Sequence, residues 1–412
     1  MRNKITAIIV DKDYNYHDYS GVKYDDGNKW SENTFDLTIC DTGVGIAKKL
    51  YEKRGFDSII TIGDTSLWGD LQYMPFFVRK KWVHLDEFNA NNIVSSIIAT
   101  FKRNTVKRDD EPILFSFFTC TYNTGYDKFK RLYDSMYRQT YPEWDWFIID
   151  DSPNDETIKM IESFKDLRIT IIKNVSIHGS IGFNKHVAAM ACDGDYLLEV
   201  DHDDELTPDC LSTILAAREK FPNSDFFYSN CLELKHPDEV AIMYGEGWGW
   251  GEGLTKTEVV NGREFTFSES PGINPFSIRT IYAQPNHIRA WRRDFYHKIQ
   301  GHNPNYSVLD DQELLIRTFL NGEMTKIDKV LYIQHEGDGE RGVSKDNTQS
   351  VRFGEIQRTT ILLKELYDLP IHNRILELGF NDIAWDYSRG YSTLWKPHTP
   401  GQEMMNNFYI PE

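Results

Sequence analysis

Three carboxylates stand within four residues at Asp201-His202-Asp203-Asp204, directly after the apolar run Tyr196-Leu197-Leu198-Glu199-Val200. Carboxylates that close repel one another unless a cation sits among them, and hard divalent ions prefer oxygen ligands. The cluster therefore suits a metal and phosphate site. It suits equally an acidic surface turn that caps a helix beginning near Pro208. Other side chains with chemistry to offer stand far off in sequence: Tyr122 and Asp150 upstream, Asp310, Asp311 and His335 downstream. Whether they meet Asp203 depends on the elements that carry them.

The run that precedes the cluster, entered from Gly194-Asp195, reads as a buried strand delivering its acids at the carboxyl end, where an open α/β sheet binds ligands. Residues 113–123 form a second continuous apolar strand that breaks into a polar loop. Helical spacing over 129–138 leads through Gln139-Thr140-Tyr141-Pro142 to a strand at 144–149 ending in Asp150-Asp151-Ser152. A helix at 156–164 and a strand at 168–173 make a third unit. Three such units in succession predict a parallel, doubly wound sheet that brings Tyr122, Asp150 and the Asp201 cluster to one carboxyl edge.

The 412 residues, 40% of them apolar, suffice for two or three domains. A formal net charge of −17 disfavours a polyanion as main partner, so nucleic acid is not the expected ligand, and a neutral or polar small substrate fits better. Five cysteines at 40, 120, 192, 210 and 231 include no CxxC pair, against a zinc ribbon, a redox dithiol or a disulfide framework. The apolar run Ile5 to Val10 is too short for a signal sequence, and no stretch reaches membrane-spanning length. The expectation is a cytoplasmic chain whose membrane contacts, if any, are peripheral.

Residues 1–108 read as a small flavodoxin-like or receiver-like α/β domain. Strands at 5–11, 36–41 and 58–64, a helix at 44–54, one or two short strands in 76–85 and a helix at 91–101 carry that reading. Asp11, Asp41 and Asp64 end their strands and are read as helix caps, since no Gly-rich phosphate loop accompanies them. The charged segment around Asp109-Asp110-Glu111-Pro112 is the expected linker. The role of this domain is not legible.

Residues 115–123, the Asp150-Asp151-Ser152 turn, Gly182-Phe183-Asn184-Lys185, Gly194-Asp195-Tyr196 and Asp201-His202-Asp203-Asp204 with Pro208 follow one another in an order and spacing that resemble the nucleotide-sugar half of family-2 glycosyltransferases with the GT-A fold. Cys120 stands where that family usually has Pro. The resemblance implies a catalytic domain over 109–348. It implies that Thr121 and Tyr122 edge the donor's base and that Asp150 accepts the N3–H of a uracil, a donor cytosine lacks. Asp201 would accept hydrogen bonds from the ribose, and Asp203 would ligate a divalent ion, Mn2+ or Mg2+, that bridges the two phosphates. Asp204 would cap the next helix or support the metal. Asn184 and Lys185 stand near the phosphates or simply begin a helix.

Beyond a strand at 225–230, residues 244–253 alternate Gly with Trp and Glu. Such a loop suits a lid or a sugar acceptor site through Trp248 and Trp250, or a hairpin that packs its Trp residues. Asp310-Asp311, with Arg317 on the following helix, is similar to the family's second acidic motif. By that resemblance Asp310 contacts substrate and Asp311 is the base of a single inverting displacement. Residues 330–335 read as a strand ending in His335, a third metal ligand by the same resemblance, before a Gly-rich loop holding Arg341 and Lys345. A helix at 351–369, ended by Pro370, is expected to pack on the catalytic domain, and 349–412 as a whole to be a helical extension whose tail wraps the body or joins a homo-oligomer.

The reading is a metal-dependent inverting glycosyltransferase that moves a sugar from a nucleotide diphosphate sugar, with UDP-sugars as the donor class, to a hydroxyl of a glycan, protein or small molecule. Two rivals are sugar transfer to a modified base of DNA, which would draw on the basic residues at 289–293 and 79–81, and a non-catalytic nucleotide-sugar-binding module.

Overall fold

The computed structural model describes residues 6–11, 16, 36–40, 58–63, 81–105, 111–166, 168–176, 178–235, 239–240, 255–270, 272–275, 277–280, 285–336, 352–382, 384–385 and 407–411. The chain divides into two compact units, and each is described by itself. One comprises Met1–Leu114 with the segments Pro142–Asp145 and Lys159–Thr170; the other holds the rest.

In the first unit, β1 (Thr6–Asp11), β2 (Asp36–Cys40), β3 (Ser58–Ile62) and β4 (Trp82–Leu85) form a parallel sheet in the order β2-β1-β3-β4. Helix α1 (Ala90–Thr105) places Ile93 and Ile97 against Ala7, Ile9, Ile60 and Ile62. The four-residue spacing of the two isoleucines puts them on one face, which is why the helix docks there. The expected helix at 44–54 lies outside the described residues.

The second unit is built on a large sheet and its helices, of which residues 144–145, 159–162 and 169–170 count with the first unit. In chain order its elements are β5 (Phe115–Thr121), α2 (Tyr126–Tyr137), β6 (Trp144–Asp150), α3 (Glu156–Glu162), β7 (Ile169–Lys173), α4 (Ile181–Met190), β8 (Tyr196–Glu199), β9 (Glu205–Leu206) and α5 (Cys210–Lys220). There follow β10 (Phe226–Lys235), β11 (Glu239–Val240), β12 (Thr255–Val260), β13 (Arg263–Ser268), α6 (Ser277–Thr280), β14 (Arg289–Arg292) and α7 (Arg293–Lys298). The last are α8 (Asp310–Asn321), β15 (Met324–Glu336), α9 (Phe353–Glu377) and β16 (Asn407–Tyr409).

The main strand order is β16-β15-β10-β14-β8-β5-β6-β7. β5 pairs with β8 in parallel, as expected, and is buried on nearly every residue, so a continuous apolar run rather than an alternating one encodes it. Within the expected mostly parallel sheet, β14 runs antiparallel to both β8 and β10. Its residues Arg-Ala-Trp-Arg carry two charges in four positions, so the segment does not announce itself as a central strand.

Helix α2 turns Phe129, Leu132 and Met136 inward, and Phe129 stacks on Trp146 with ring centroids 5.1 Å apart. A further core joins Phe118, Leu197, Phe226, Trp291, Phe295 and Leu315. Helix α9 adds Ile371 and Ile375 to that core, and Tyr367 donates to Glu313 Oε1 at 2.6 Å. The expected stop at Pro370 does not occur, because α9 runs on to Glu377. The missing N–H costs one helical bond, and the burial of Ile371 and Ile375 beyond it offsets that loss. The tail contributes β16, parallel to β15. No helix among the described residues is long and apolar enough to cross a membrane.

Candidate active site

Thr121 ends β5 and Asp150 ends β6. Asp150 is closed to solvent, and its carboxylate is occupied: Thr121 donates to Oδ1 at 2.9 Å, Ser152 to the same oxygen at 2.6 Å, and Lys173 Nζ lies 3.0 Å from Oδ2. Asp151 is likewise spent, accepting from Gly179 N at 2.7 Å and Asn174 Nδ2 at 2.8 Å with His178 Nδ1 2.6 Å away. Thr121 is buried with Asp150, whereas Tyr122 is 52% exposed and free to present its ring. The floor of this edge is thus a fixed polar net, and Tyr122 is its open face.

Asn184 lies inside the fold, accepting from Asn174 Nδ2 at 2.9 Å, so α4 contributes it as an internal tie rather than an open ligand group. Ser180 caps α4 by accepting from Phe183 N. Gly182 allows the first turn of α4 to approach the chain before α8: a Cβ there would fall 2.3 Å from Tyr306 O and 2.9 Å from Asp310 Cβ.

The Asp201–Asp204 turn is tied from below by Tyr332 on β15. Asp201 N donates to the Tyr332 hydroxyl at 3.0 Å, and that hydroxyl donates to Asp204 Oδ2 at 2.7 Å. Asp204 Oδ1 accepts from His335 N at 2.9 Å. Burial, then the charges of Asp203 and Asp201, push the Asp204 carboxyl well above its ordinary range. Asp204 therefore anchors the turn to β15 and does not cap the following helix, which begins at Cys210 with Asp209 in front of it.

Asp201 and Asp203 stay accessible, with 43% and 21% of their side chains exposed. Asp203 faces two cations of α2, Lys128 with Nζ 3.9 Å from Oδ2 and Arg131 at its backbone carbonyl. His202 Nδ1 is 3.9 Å from Asp203 Oδ1. His335 holds Glu205 Oε1 at 2.8 Å through Nε2, which leaves Nδ1 alone for any ligation.

Among the described residues, Glu199, Asp201 and His287 also bring ligand atoms within 4.8 Å of one another. That set does not fit a divalent ion. Lys185 holds Glu199 Oε1 and Arg289 Nη1 sits 3.1 Å from Oε2, so a metal there would have to displace one cation and face the other. Asp203, with an open carboxylate and Lys128 only loosely engaged, has the donor chemistry that fits.

Behind the turn lies a buried charge network. Lys185 of α4, Glu199 of β8 and Arg289 of β14 are joined, and Arg289 Nη1 reaches Asp311 Oδ2 at 3.3 Å. Lys185 Nζ is 3.8 Å and His302 Nε2 3.7 Å from Asp310 Oδ2. Burial works against every charge here, but Lys185 and then Arg289 hold Glu199 well below the usual carboxylate range. For Asp311, burial is overcome by Arg289 and then Lys185, and its carboxyl is held low. Asp310 goes the other way, to about 7: burial dominates, Lys185 opposes it, and the charges of Asp311 and Glu199 add to it. Burial takes His287 down to about 4, helped by Arg289. The network is a charged Asp311 beside a carboxyl that titrates near neutrality.

The signal for Glu199 was present as a lone acid inside an otherwise apolar strand. The basic surface expected at 289–293 is corrected at Arg289, which is buried, 1% exposed. Arg292 pairs with Asp225 and Asp294, and Arg293 lies 3.9 Å from Asp193. Among the described residues, each arginine of 289–293 thus faces a carboxylate. Trp248, Trp250, Arg341, Lys345 and residues 79–80 lie outside the described residues.

Residues 116–233, which include Thr121, Asp150, Asp201 and Asp203, match a family model described as Glycosyl transferase family 2. Over 102 residues the chain is 32% identical to WcaA of Escherichia coli (strain K12), named as a colanic acid biosynthesis glycosyl transferase, covering 24% of this chain and 36% of that protein. It is 26% identical over 194 residues to a protein of Haemophilus influenzae named only as a glycosyltransferase, covering 45% of this chain and 55% of that one. The chain thus spans between about a third and about half of the length of these relatives. A solved structure of S. aureus TarS 1–349 in complex with UDP superposes with a TM-score of 0.43 at 17% identity, covering 67% of this chain and 68% of that one.

Proposed function

We propose that this chain, whose residues 116–233 form a family-2 glycosyltransferase domain, transfers a sugar with inversion from a nucleotide diphosphate sugar, of the UDP class, to a hydroxyl of a glycan, protein or small molecule. One observation carries the proposal. The accessible Asp201–Asp203 turn and the charged Asp311 belong to one connected polar structure, through Glu199 two residues before Asp201 and Arg289 between Glu199 and Asp311. This connection supports reading the two as the donor side and the base side of one site.

In this reading the donor's base lies against Tyr122, and a uracil N3–H takes the place of one of the three present donors to Asp150. Asp201 accepts from the ribose. A divalent cation, Mn2+ or Mg2+, held by Asp203 would neutralise the departing diphosphate. Asp311, ionised because Arg289 and Lys185 offset its burial, accepts the proton of the acceptor hydroxyl as that oxygen attacks the anomeric carbon. A carboxylate that is already ionised suits a proton that becomes acidic only as the new bond forms. Asp310 stands behind it as a buried neighbour. The GT-A-like domain at 109–348, a cytoplasmic location, a receiver-like domain at 1–108 supported by the β2-β1-β3-β4 order, and a helical extension at 349–412 belong to the same proposal.

The test is a panel of UDP-glucose, UDP-galactose, UDP-N-acetylglucosamine and GDP-mannose, with and without Mn2+, read by nucleotide release and by thermal shift. Release of UDP from one of them in the presence of Mn2+ supports the proposal. Normal binding of UDP with release from no nucleotide sugar rejects the enzyme and leaves a binding module.

A further inference from the structure

Arg289 carries more than structural weight. It stands opposite Glu199 in the β14–β8 register, and the same nitrogen, Nη1, is 3.1 Å from Glu199 Oε2 and 3.3 Å from Asp311 Oδ2. Its Nε is pinned separately, donating to Pro285 O at 3.0 Å. The guanidinium therefore cannot swing toward either acid without giving up a bond. Asp311 is fixed from its other side, where Oδ1 accepts from Gln312 N at 2.8 Å.

We propose that Arg289 is a positioning residue for the base, shared between Glu199 and Asp311, so that Glu199 sets how much of its charge Asp311 feels. The inference rests on the assignment of Asp311 as the base and adds the device that tunes it. If the guanidinium belonged to Asp311 alone, the base would be held low and be weak. If it belonged to Glu199 alone, Asp311 would be left half-buried with only Lys185 to offset its charge and would take up a proton more readily. Sharing keeps Asp311 ionised yet able to take a proton.

The groups that face Asp311 all enter this balance. Lys185 on α4 draws it down with Arg289, whereas Glu199 on β8 pushes it up. Asp310 precedes it on α8, and His302, whose ring is driven down to about 3 by burial, adds no charge near neutrality. Asp201, leaving β8, acts on Arg289, while His287, entering β14 with Nε2 3.5 Å from Asp201 Oδ2, is driven down to about 4 by burial and adds no charge near neutrality. The arrangement makes two substitutions act in opposite directions, which no packing role for Arg289 would do.

The experiment is carbon-13 NMR of the full chain labelled at the aspartate carboxyl, with the Asp311 resonance identified by its loss in Asp311→Asn. Glu199→Gln is expected to lower the proton affinity of Asp311 by about tenfold, and Arg289→Gln to raise it by about tenfold or more. Arg289→Lys, which retains the charge, is expected to fall between wild type and Arg289→Gln, and it serves as the second variant if Arg289→Gln does not fold. Shifts of the same sign in Glu199→Gln and in the Arg289 variant, or none, overturn the inference whatever the activity. Transfer that survives in Asp311→Asn overturns instead the assignment of the base, so the two failures are told apart.

Discussion

Arg289 and Glu199 face each other across antiparallel β14 and β8, their charged ends 3.1 Å apart and both side chains almost closed to solvent. An ion pair that far inside a sheet is costly to build, since both charges lose their water. It persists here because Lys185 shares Glu199 and Asp311 shares Arg289. The expectations below follow from that geometry and from its neighbours.

Breaking the network from one end should unfold the protein more readily than ordinary surface changes do. Lys185→Met leaves one oxygen of buried Glu199 without its cation and removes the counter-charge beside Asp310. A loss of about 3–5 kcal/mol is expected, read as a fall in the urea midpoint. A change within about 0.5 kcal/mol, the range of surface substitutions, would mean that Glu199 is not a buried charge.

The two proposed roles, metal ligand for Asp203 and base for Asp311, should separate by assay. Asp203→Ala is expected to abolish metal-dependent UDP binding. Asp311→Asn should leave UDP binding close to wild type and lower transfer by about 10²–10⁴-fold. Equal loss of binding in both would refute the division of labour.

Stability should fall with pH across the range where Asp310 titrates. Its carboxyl titrates at about 7 in the fold and 3.8 ordinarily, so between these values the folded chain binds more protons than the unfolded one. Its contribution is complete below the ordinary value and is lost as pH rises through the folded one. Asp310→Asn is therefore expected to be more stable than wild type on the alkaline side of 7, with the gain vanishing toward the acid end, as followed by calorimetry. A constant gain would point to packing instead.

Gly182→Ala tests the seam between α4 and the chain before α8. The added methyl would meet two backbone carbonyls, Tyr306 O at 2.3 Å and Asn303 O at 2.8 Å, which cannot rotate away as a flexible side chain could. A loss of about 1–3 kcal/mol is expected. Wild-type thermal stability would show that the seam is looser than these distances say.

Much of the positioning frame was readable from the chain. Continuous apolar runs gave β5, β6 and β8, and the periodicity of Phe129, Leu132 and Met136 gave α2, because burial on two faces or on one stripe writes itself into residue order. The pairs that complete the site did not write themselves so. Glu199 and Arg289 are 90 residues apart and each looks like an error in its own strand; only their register makes sense of both. Other omissions were legible. Asn261-Gly262, with φ of 50° and 82°, turns β12 into β13, and Asn-Gly between alternating residues is a strong hairpin signal. Pro370 misled in the opposite way, since tertiary burial overrode a local breaker.

Arg352, just before α9, donates to two carbonyls that are far apart in sequence, Ser307 O at 2.9 Å and Gly179 O at 2.6 Å. It thereby clasps the loop that leads into α4 to the loop that leads into α8. The consequence concerns timing during synthesis. Asp201 leaves the ribosome early, yet the two loops that flank the charge network are tied only after residue 352 has emerged. Until then strands β5–β8 can pair while the site stays unclasped, so we expect a nascent chain halted near residue 345 to be protected from proteolysis in β5–β8 but open around Gly179. Equal protection of both segments at that length would show that the clasp is dispensable.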